Sequence, residues 1–225
     1  MPLPKIATPT YELELPSTGQ SINYRPFLVK EEKLLVLALE TEDTKQITTA
    51  IKNVLKNCVL TKGIKVDQLP TFDIEFLFLN IRGKSVGEEI EVNIICPDDE
   101  KTQVPITIDL DDIKVEKNEN HTNQIKLDKD LMMELKYPSL EQFIKNNFDF
   151  NDANAMDQSF ELIATCIDKI FTADEVWATA DCTKKEVKDF LEQMNSAQFK
   201  LIEEFFTTMP KLSHTIKVKN PKTKV

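Results

Sequence analysis

Glycine is scarce in this chain, with four residues among 225. So few leave no room for the glycine-rich loops that cradle phosphates. Histidine occurs twice, as His121 and His214, which leaves multi-histidine metal centres and most histidine-based catalysis without material. Arginine occurs only as Arg25 and Arg82, so nearly all the positive charge is lysine. The four cysteines, Cys58, Cys96, Cys166 and Cys182, include no short-spaced pair, so neither a redox dithiol nor a zinc finger is signalled. Cys58 and Cys166 lie in apolar helical patterns and read as buried, reduced packing residues. No apolar run approaches the roughly 20 residues of a membrane span, and the N-terminus lacks the apolar core of a signal peptide. A soluble protein of the cytoplasm is the expectation, with no membrane contact.

What is present is ordinary for a folded chain: 41% hydrophobic and 29% charged residues in 25.8 kDa, enough to build a core without staples. Acidic residues number 38 against 28 basic ones, a formal charge of −10. A broad basic face for nucleic acid is not available at that balance. The carboxylate pairs Asp98-Asp99, Asp111-Asp112 and Glu203-Glu204 read as solvated faces, and Asp109, Asp111 and Asp112 lack calcium-loop spacing. Serine, cysteine and histidine form no persuasive nucleophile–base set. Gly83-Lys84-Ser85 lacks the earlier glycine and the preceding strand of a phosphate loop. The chain therefore reads as a non-enzyme with no cofactor and no small-molecule substrate.

Periodicity gives the elements. Tyr11–Leu15 and Ser21–Tyr24 alternate around the turn residues Pro16–Gln20, a hairpin. Lys30–Glu40 is rich in helix formers, and Thr44–Leu60 carries an amphipathic stripe, with Gly63 placed to end it. A third helix is expected over Asp73–Ile81, capped by Thr71, with Phe72, Phe76, Leu77 and Phe78 in the core. Glu89–Ile95 and Val104–Leu110 form a long central hairpin, with Ile113–Glu116 extending the sheet. Gln124–Leu127 and Leu131–Leu135 form another. Helices are expected over Glu141–Asn147 with Ser139 and Gln142 as capping box, over Ala155–Phe171 after Asn154, over Asp181–Met194 with Thr183 and Glu186 as capping box, and from Ser196 through Phe206. The tail, Ser213–Val225, alternates again, with the central hairpin as its nearest mate. Strands and helices come in groups rather than one by one, which favours α+β over a doubly wound sheet. The expected fold is thus α+β, antiparallel hairpins with a ribbon-like central one and two groups of amphipathic helices. Its regions are 1–87, 88–136, 137–212 and a terminal strand at 213–225 packing on the central region, as one cooperative unit.

Four stretches taken together carry a resemblance. They are Pro9–Gly19 (PTYELELPSTG), Tyr24–Lys33 (YRPFLVKEEK), Phe78–Gly87 (FLNIRGKSVG) and Pro210–His214 (PKLSH). In order and spacing they resemble the baseplate hub subunit and hub-assembly family of T4-like contractile-tailed bacteriophages. The resemblance spans nearly the whole chain and implies a virion-assembly role through protein contacts. Its implied partners are other hub or tail proteins, met in the host cytoplasm and, for a resident subunit, in the virion tail baseplate. It transfers no catalytic residue. It also implies a zinc-ribbon-like central hairpin, whose tip in relatives reads Cys-Pro-x-Cys. Here the tip is Cys96-Pro97-Asp98-Asp99, an acid standing for the second thiol. Cys96 and His214 are then the remaining weak metal candidates, a poor set for zinc, and a metal-free hairpin is expected. A degenerate zinc-ribbon adaptor that contacts nucleic acid or a host factor is the alternative reading. The resemblance also implies a further strand and helix after the tail; either this chain lacks them or it is a piece of a longer one.

The rare arginines supply the site expectation. Arginine is suited to planar, bidentate contact with carboxylates, and arginine and aromatics concentrate at interface hot spots. The segment Tyr24–Phe27, holding Tyr24, Arg25 and Phe27, and the loop Arg82–Gly87, holding Arg82 and Lys84, are the partner-contact candidates. The competing account is that both arginines make local salt bridges that pin their loops.

Overall fold

The computed structural model describes Pro4, residues 6–140 and residues 155–223. The expected capping residue Gln142, the helix over Glu141–Asn147 and the cap Asn154 lie outside those residues. The elements described are small antiparallel sheets and helices, an α+β architecture. Among the described residues no helix is long and apolar enough to cross a membrane.

The N-terminal part is built on a hairpin of β1 (Tyr11–Glu14) and β2 (Ser21–Tyr24), paired Tyr11 to Tyr24 and Leu13 to Ile22. Helices α1 (Val29–Glu40), α2 (Thr44–Cys58) and α3 (Thr71–Val86) follow. Leu15, Ile22, Tyr24, Val54, Leu55, Cys58, Ile74, Leu77 and Ile81 close into one buried cluster. Full burial of an aliphatic side chain contributes roughly 1.5–3 kcal/mol, so this cluster is the main support of the hairpin. Helix α2 stops at Cys58, five residues before Gly63. There the chain turns extended and pairs with β2: Val59 bridges Tyr24, Leu60 N–H donates to Asn23 O at 2.8 Å, and Arg25 N–H donates to Cys58 O at 2.9 Å. Sheet pairing ends this helix, not a glycine cap.

Helix α3 begins one turn's fraction earlier and runs five residues further than its pattern predicts. Thr71, expected as the cap, is its first helical residue, and Pro70 is the N-cap residue, with no side-chain cap hydrogen bond. Arg82, Gly83, Lys84, Ser85 and Val86, expected in a loop, form its last turns. Gly83 is buried, and a Cβ there would meet Leu110 Cδ1 at 3.3 Å. It therefore serves close packing, whereas Gly87, at φ 133°, ends the helix with its N–H on Gly83 O at 3.0 Å.

The central hairpin pairs β3 (Glu89–Ile95) with β4 (Gln103–Asp109) over seven residues a side. Ile90, Val92 and Ile94 face Ile108, Ile106 and Val104 across the ladder, all half-buried. The short β5 (Lys114–Glu116) does not extend that ribbon; it pairs with β10 (Lys211–Ser213). After Ser213 the tail forms no strand among the described residues.

The C-terminal part holds a four-stranded antiparallel sheet of β6 (Gln124–Lys126), β7 (Met132–Leu135), β8 (Ile167–Phe171) and β9 (Val176–Ala178). Helices α4 (Ala155–Cys166), α5 (Lys184–Glu192) and α6 (Ser196–Thr208) accompany it. The expected helix over Ala155–Phe171 ends at Cys166. Ile167–Phe171 pairs instead with β7 on one side and β9 on the other, and the Thr179 hydroxyl donates to Ile167 O at 2.6 Å. Isoleucine and phenylalanine are strand formers, and two waiting neighbours decide the outcome. The Thr183–Glu186 capping box is present at α5. At α6 the cap is Asn195, one residue before the expected Ser196, and Asn195 with Gln198 forms the box. Met133, Leu135, Ile163, Ile167, Leu191, Ile202 and Phe205 form the second buried cluster. Phe72 of α3 meets Tyr137 edge-on at 5.0 Å, and Thr71 N–H donates to Pro138 O at 3.3 Å, joining the two parts.

Candidate interaction surface

The two segments flagged in the sequence come together. Phe27 N–H donates to Ser85 Oγ at 2.9 Å, so the strand-to-α1 connection sits on the last turn of α3. Within this joint most of the flagged side chains are engaged by their own chain. The Tyr24 ring is buried in the N-terminal cluster, 5.8 Å from that of Tyr11; burial first, then the neighbouring acids and Tyr11, push its hydroxyl up, against the pull of Lys84. Arg25, half-buried, donates to Glu31 Oε1 at 2.9 Å and to Pro26 O at 2.8 Å. Phe27 is half-buried against the same cluster. Arg82 reaches Gly87 O at 3.4 Å. Lys84 pairs with Glu88, and its ammonium lies 5.5 Å from the Tyr11 ring centroid.

Glu31 is the buried acid of this joint and stands outside the sequence expectation. Its side chain is 1% exposed. Oε1 receives Arg25, and Oε2 accepts the Leu28 N–H at 2.8 Å, the first-turn position where an acid also meets the helix dipole. Burial pushes this carboxyl up, but the Arg25 guanidinium and the Leu28 amide outweigh it and hold the group below its ordinary value. The signal available was Arg25 six residues before an acid in the first turn of a helix.

The exposed feature beside this joint is α1 itself. Glu31 and Ala38 are buried and Leu35 is half-buried. Around the rest of the helix Val29, Leu34, Val36, Leu37 and Leu39 are 79%, 46%, 49%, 49% and 60% exposed. A helix that is apolar on every side belongs inside a core, and here its outer sides have no cover from the described residues. An open groove of about 710 Å³ runs between α1 and α2, floored by Leu34, Leu37, Ala38 and Ala50 and rimmed by Glu40, Lys45 and Gln46. A smaller concavity of about 360 Å³ lies under β9, lined by Leu131, Ile170, Trp177, Val187 and Phe190.

The tip of the central hairpin is closed by hydrogen bonds. Asp99, at the place of the second thiol, accepts from Lys101 N–H at 3.1 Å, from Thr102 N–H at 2.9 Å and from the Thr102 hydroxyl. These donors hold its carboxyl well below the usual range. Cys96 is buried, its N–H on Thr102 O at 2.8 Å, and desolvation, with Asp98 and Asp99 adding to it, pushes its thiol up. A thiol must lose its proton to bind metal. Asp98 receives the Asn220 carboxamide at 2.9 and 3.0 Å and the Thr223 hydroxyl, so the tail is tied to the tip by side chains rather than by a ladder. His214 is exposed. Among the described residues no group of three or more His, Cys, Asp or Glu is disposed to hold a metal ion, so Cys96 and His214 belong to no such group.

Comparison with known families gives one match: the family described as T4 bacteriophage base plate protein covers residues 8–225. No curated protein and no solved structure matches the chain. The family match takes in every element described above, from β1 to the tied tail, and the chain belongs to the T4 bacteriophage base plate protein family.

Proposed function

We propose that this base plate protein is a non-enzymatic component of the tail's hub, a hub subunit or a factor that assembles the hub, acting through contacts with other hub or tail proteins. Assembly would take place in the host cytoplasm. One observation carries the reading beyond the family: α1 exposes aliphatic side chains on every side except the one packed inward. Monomeric soluble proteins rarely display a contiguous apolar patch of that kind unless it binds something. The Phe27 N–H bond to Ser85 Oγ and the Arg25–Glu31 pair tie the start of this helix to its own chain, so the surface is presented by packed elements rather than by a loose loop. Arg25 then acts behind the surface, fixing the base of α1 through Glu31, while Phe27 and the exposed Leu28 and Val29 stand at its edge; Tyr24 packs in the core beneath, and Arg82 and Lys84 hold the end of α3.

The test is co-purification from infected cells with tagged protein. Wild type is expected to retain baseplate and tail proteins, and Val36→Asp, at an exposed position that leaves the core untouched, is expected to lose them with unchanged circular dichroism. Full phage yield from the Val36→Asp variant would remove the reading. Mass spectrometry of finished virions separates a resident subunit from an assembly factor.

A further inference from the structure

Helix α1 carries one stripe along its full outward length: Val29, Lys33, Val36 and Glu40, with Leu37 beside it. The spacing of four, three and four residues keeps these positions in line on a helix of 3.6 residues per turn. All five are exposed. The stripe is charged asymmetrically, with Lys33 toward the N-terminal half and Glu40 at the C-terminal end. Resting on the reading of α1 as an interface, we propose that this stripe pairs with the same stripe of a second copy of the chain, antiparallel and about a two-fold axis.

The geometry follows from the numbering. An axis midway between residues 34 and 35 sets Val29 opposite Glu40 of the second copy and Lys33 opposite its Val36. Lys33 then lies four residues from the level of the opposing Glu40, about 6 Å along the axis at 1.5 Å per residue, within reach of a lysine side chain. The two-fold axis makes this contact twice, and Val36 and its copy, about 4.5 Å apart along the helix direction, fill the seam between. A parallel arrangement would instead set Lys33 against Lys33 and Glu40 against Glu40. Antiparallel packing also opposes the two helix dipoles favourably. The patch is thus self-complementary, the requirement for an isologous dimer, and Leu37 lies beside the seam to widen it.

Sedimentation equilibrium on the full chain tests this. Wild type is expected to dimerise, and Val36→Asp to be monomeric with unchanged circular dichroism. Lys33→Glu or Glu40→Lys alone is expected to weaken association by about tenfold at low salt, since both symmetry-related contacts turn repulsive. The double variant Lys33→Glu/Glu40→Lys is expected to restore it, because the antiparallel arrangement re-forms each pair. A wild-type chain that stays monomeric at high concentration, or a double variant that is not rescued, overturns the proposal. If wild type is monomeric yet Val36→Asp still loses baseplate proteins in co-purification, the second copy is the wrong occupant and the baseplate reading stands. If Val36→Asp changes neither measurement, both fall.

Discussion

Replacing Glu31 by glutamine tests the joint beneath α1. The side chain is nearly as large, so packing is preserved, but the charge is gone. In the native chain Oε1 receives Arg25 at 2.9 Å and Oε2 receives the Leu28 N–H at 2.8 Å. A glutamine offers one acceptor oxygen, so its NH₂ must face one of these two donors. Arg25 is left 14% exposed with no carboxylate partner at this position. Breaking a buried ion pair by removing one partner costs about 3–5 kcal/mol. The partial exposure of Arg25 places this case at the lower end, about 3 kcal/mol. For a domain of this size that is a fall in Tm of about 6–12 °C.

The acid dependence provides the stricter check. Glu31 has its folded value below the ordinary 4.5, so its contribution is complete above pH 4.5 and is lost as pH falls through the folded value. Glutamine has no such titration. Urea unfolding of wild type and Glu31→Gln should therefore differ most near neutrality and converge in acid. A Tm change under about 2 °C at pH 7 would correspond to less than 1 kcal/mol and would refute the pinning account of Arg25. A gap that stays constant down to pH 3 would refute its electrostatic origin.

Two further outcomes are expected. Asn220→Ala removes the carboxamide that ties the tail to Asp98 and accepts Lys222 N–H at 2.9 Å. Trypsin should then cut after Lys217 and Lys219 about tenfold faster, the loss of two or so hydrogen bonds to local opening, with the hairpin's circular dichroism unchanged; equal cleavage rates would show that the tie does not hold the tail. His121 stacks on Tyr137 and lies tilted against Phe205. Thr208 spends its one proton on Glu204 O at 2.7 Å, so His121 Nδ1–H donates to Thr208 Oγ1 and Nε2 accepts from the Tyr137 hydroxyl. Burial holds this imidazole below its ordinary 6.5. The unfolded chain thus binds the proton first, and wild type should lose stability relative to His121→Gln as pH falls below 6.5, by at most about 1.4 kcal/mol per pH unit; parallel pH profiles would contradict the neutral assignment.

The elements legible in the sequence are those whose signal is local. The β1–β2 and β3–β4 hairpins, the stripe of α2 and the Thr183–Glu186 box follow from alternation, period and capping chemistry within a few residues. The misses sit where a distant strand decides. Ile167–Phe171 continues a helical pattern by composition, yet β7 and β9 claim it from either side. The end of α2 is set by β2 in the same way, more than thirty positions earlier in the chain. Gly83 looks like a loop residue because glycine breaks helices at a cost of about 1 kcal/mol; only the position of Leu110 explains why the helix carries it. The tail alternates like a strand, but its partner at the tip is a pair of carboxylate oxygens and not a free ladder edge.

The proposed surface lies beside the segments that the rare arginines mark, for a physical reason. Rare arginines attract attention as hot-spot residues, and the two segments that hold them do meet. Yet Arg25 is turned inward on Glu31, and the 1% exposure of that carboxylate means the pair is used to hold α1 against its own chain. The surface is left to Val29, Leu34, Val36, Leu37 and Leu39, residues that look like core in any composition table. What marks them is the absence of a polar side on α1: twelve residues with aliphatics at every angle of the helix cannot be satisfied by one contact face. That pattern was readable in KEEKLLVLALE. Helix formers there account for the helix, but helical propensity alone does not reveal which faces of a helix will be covered.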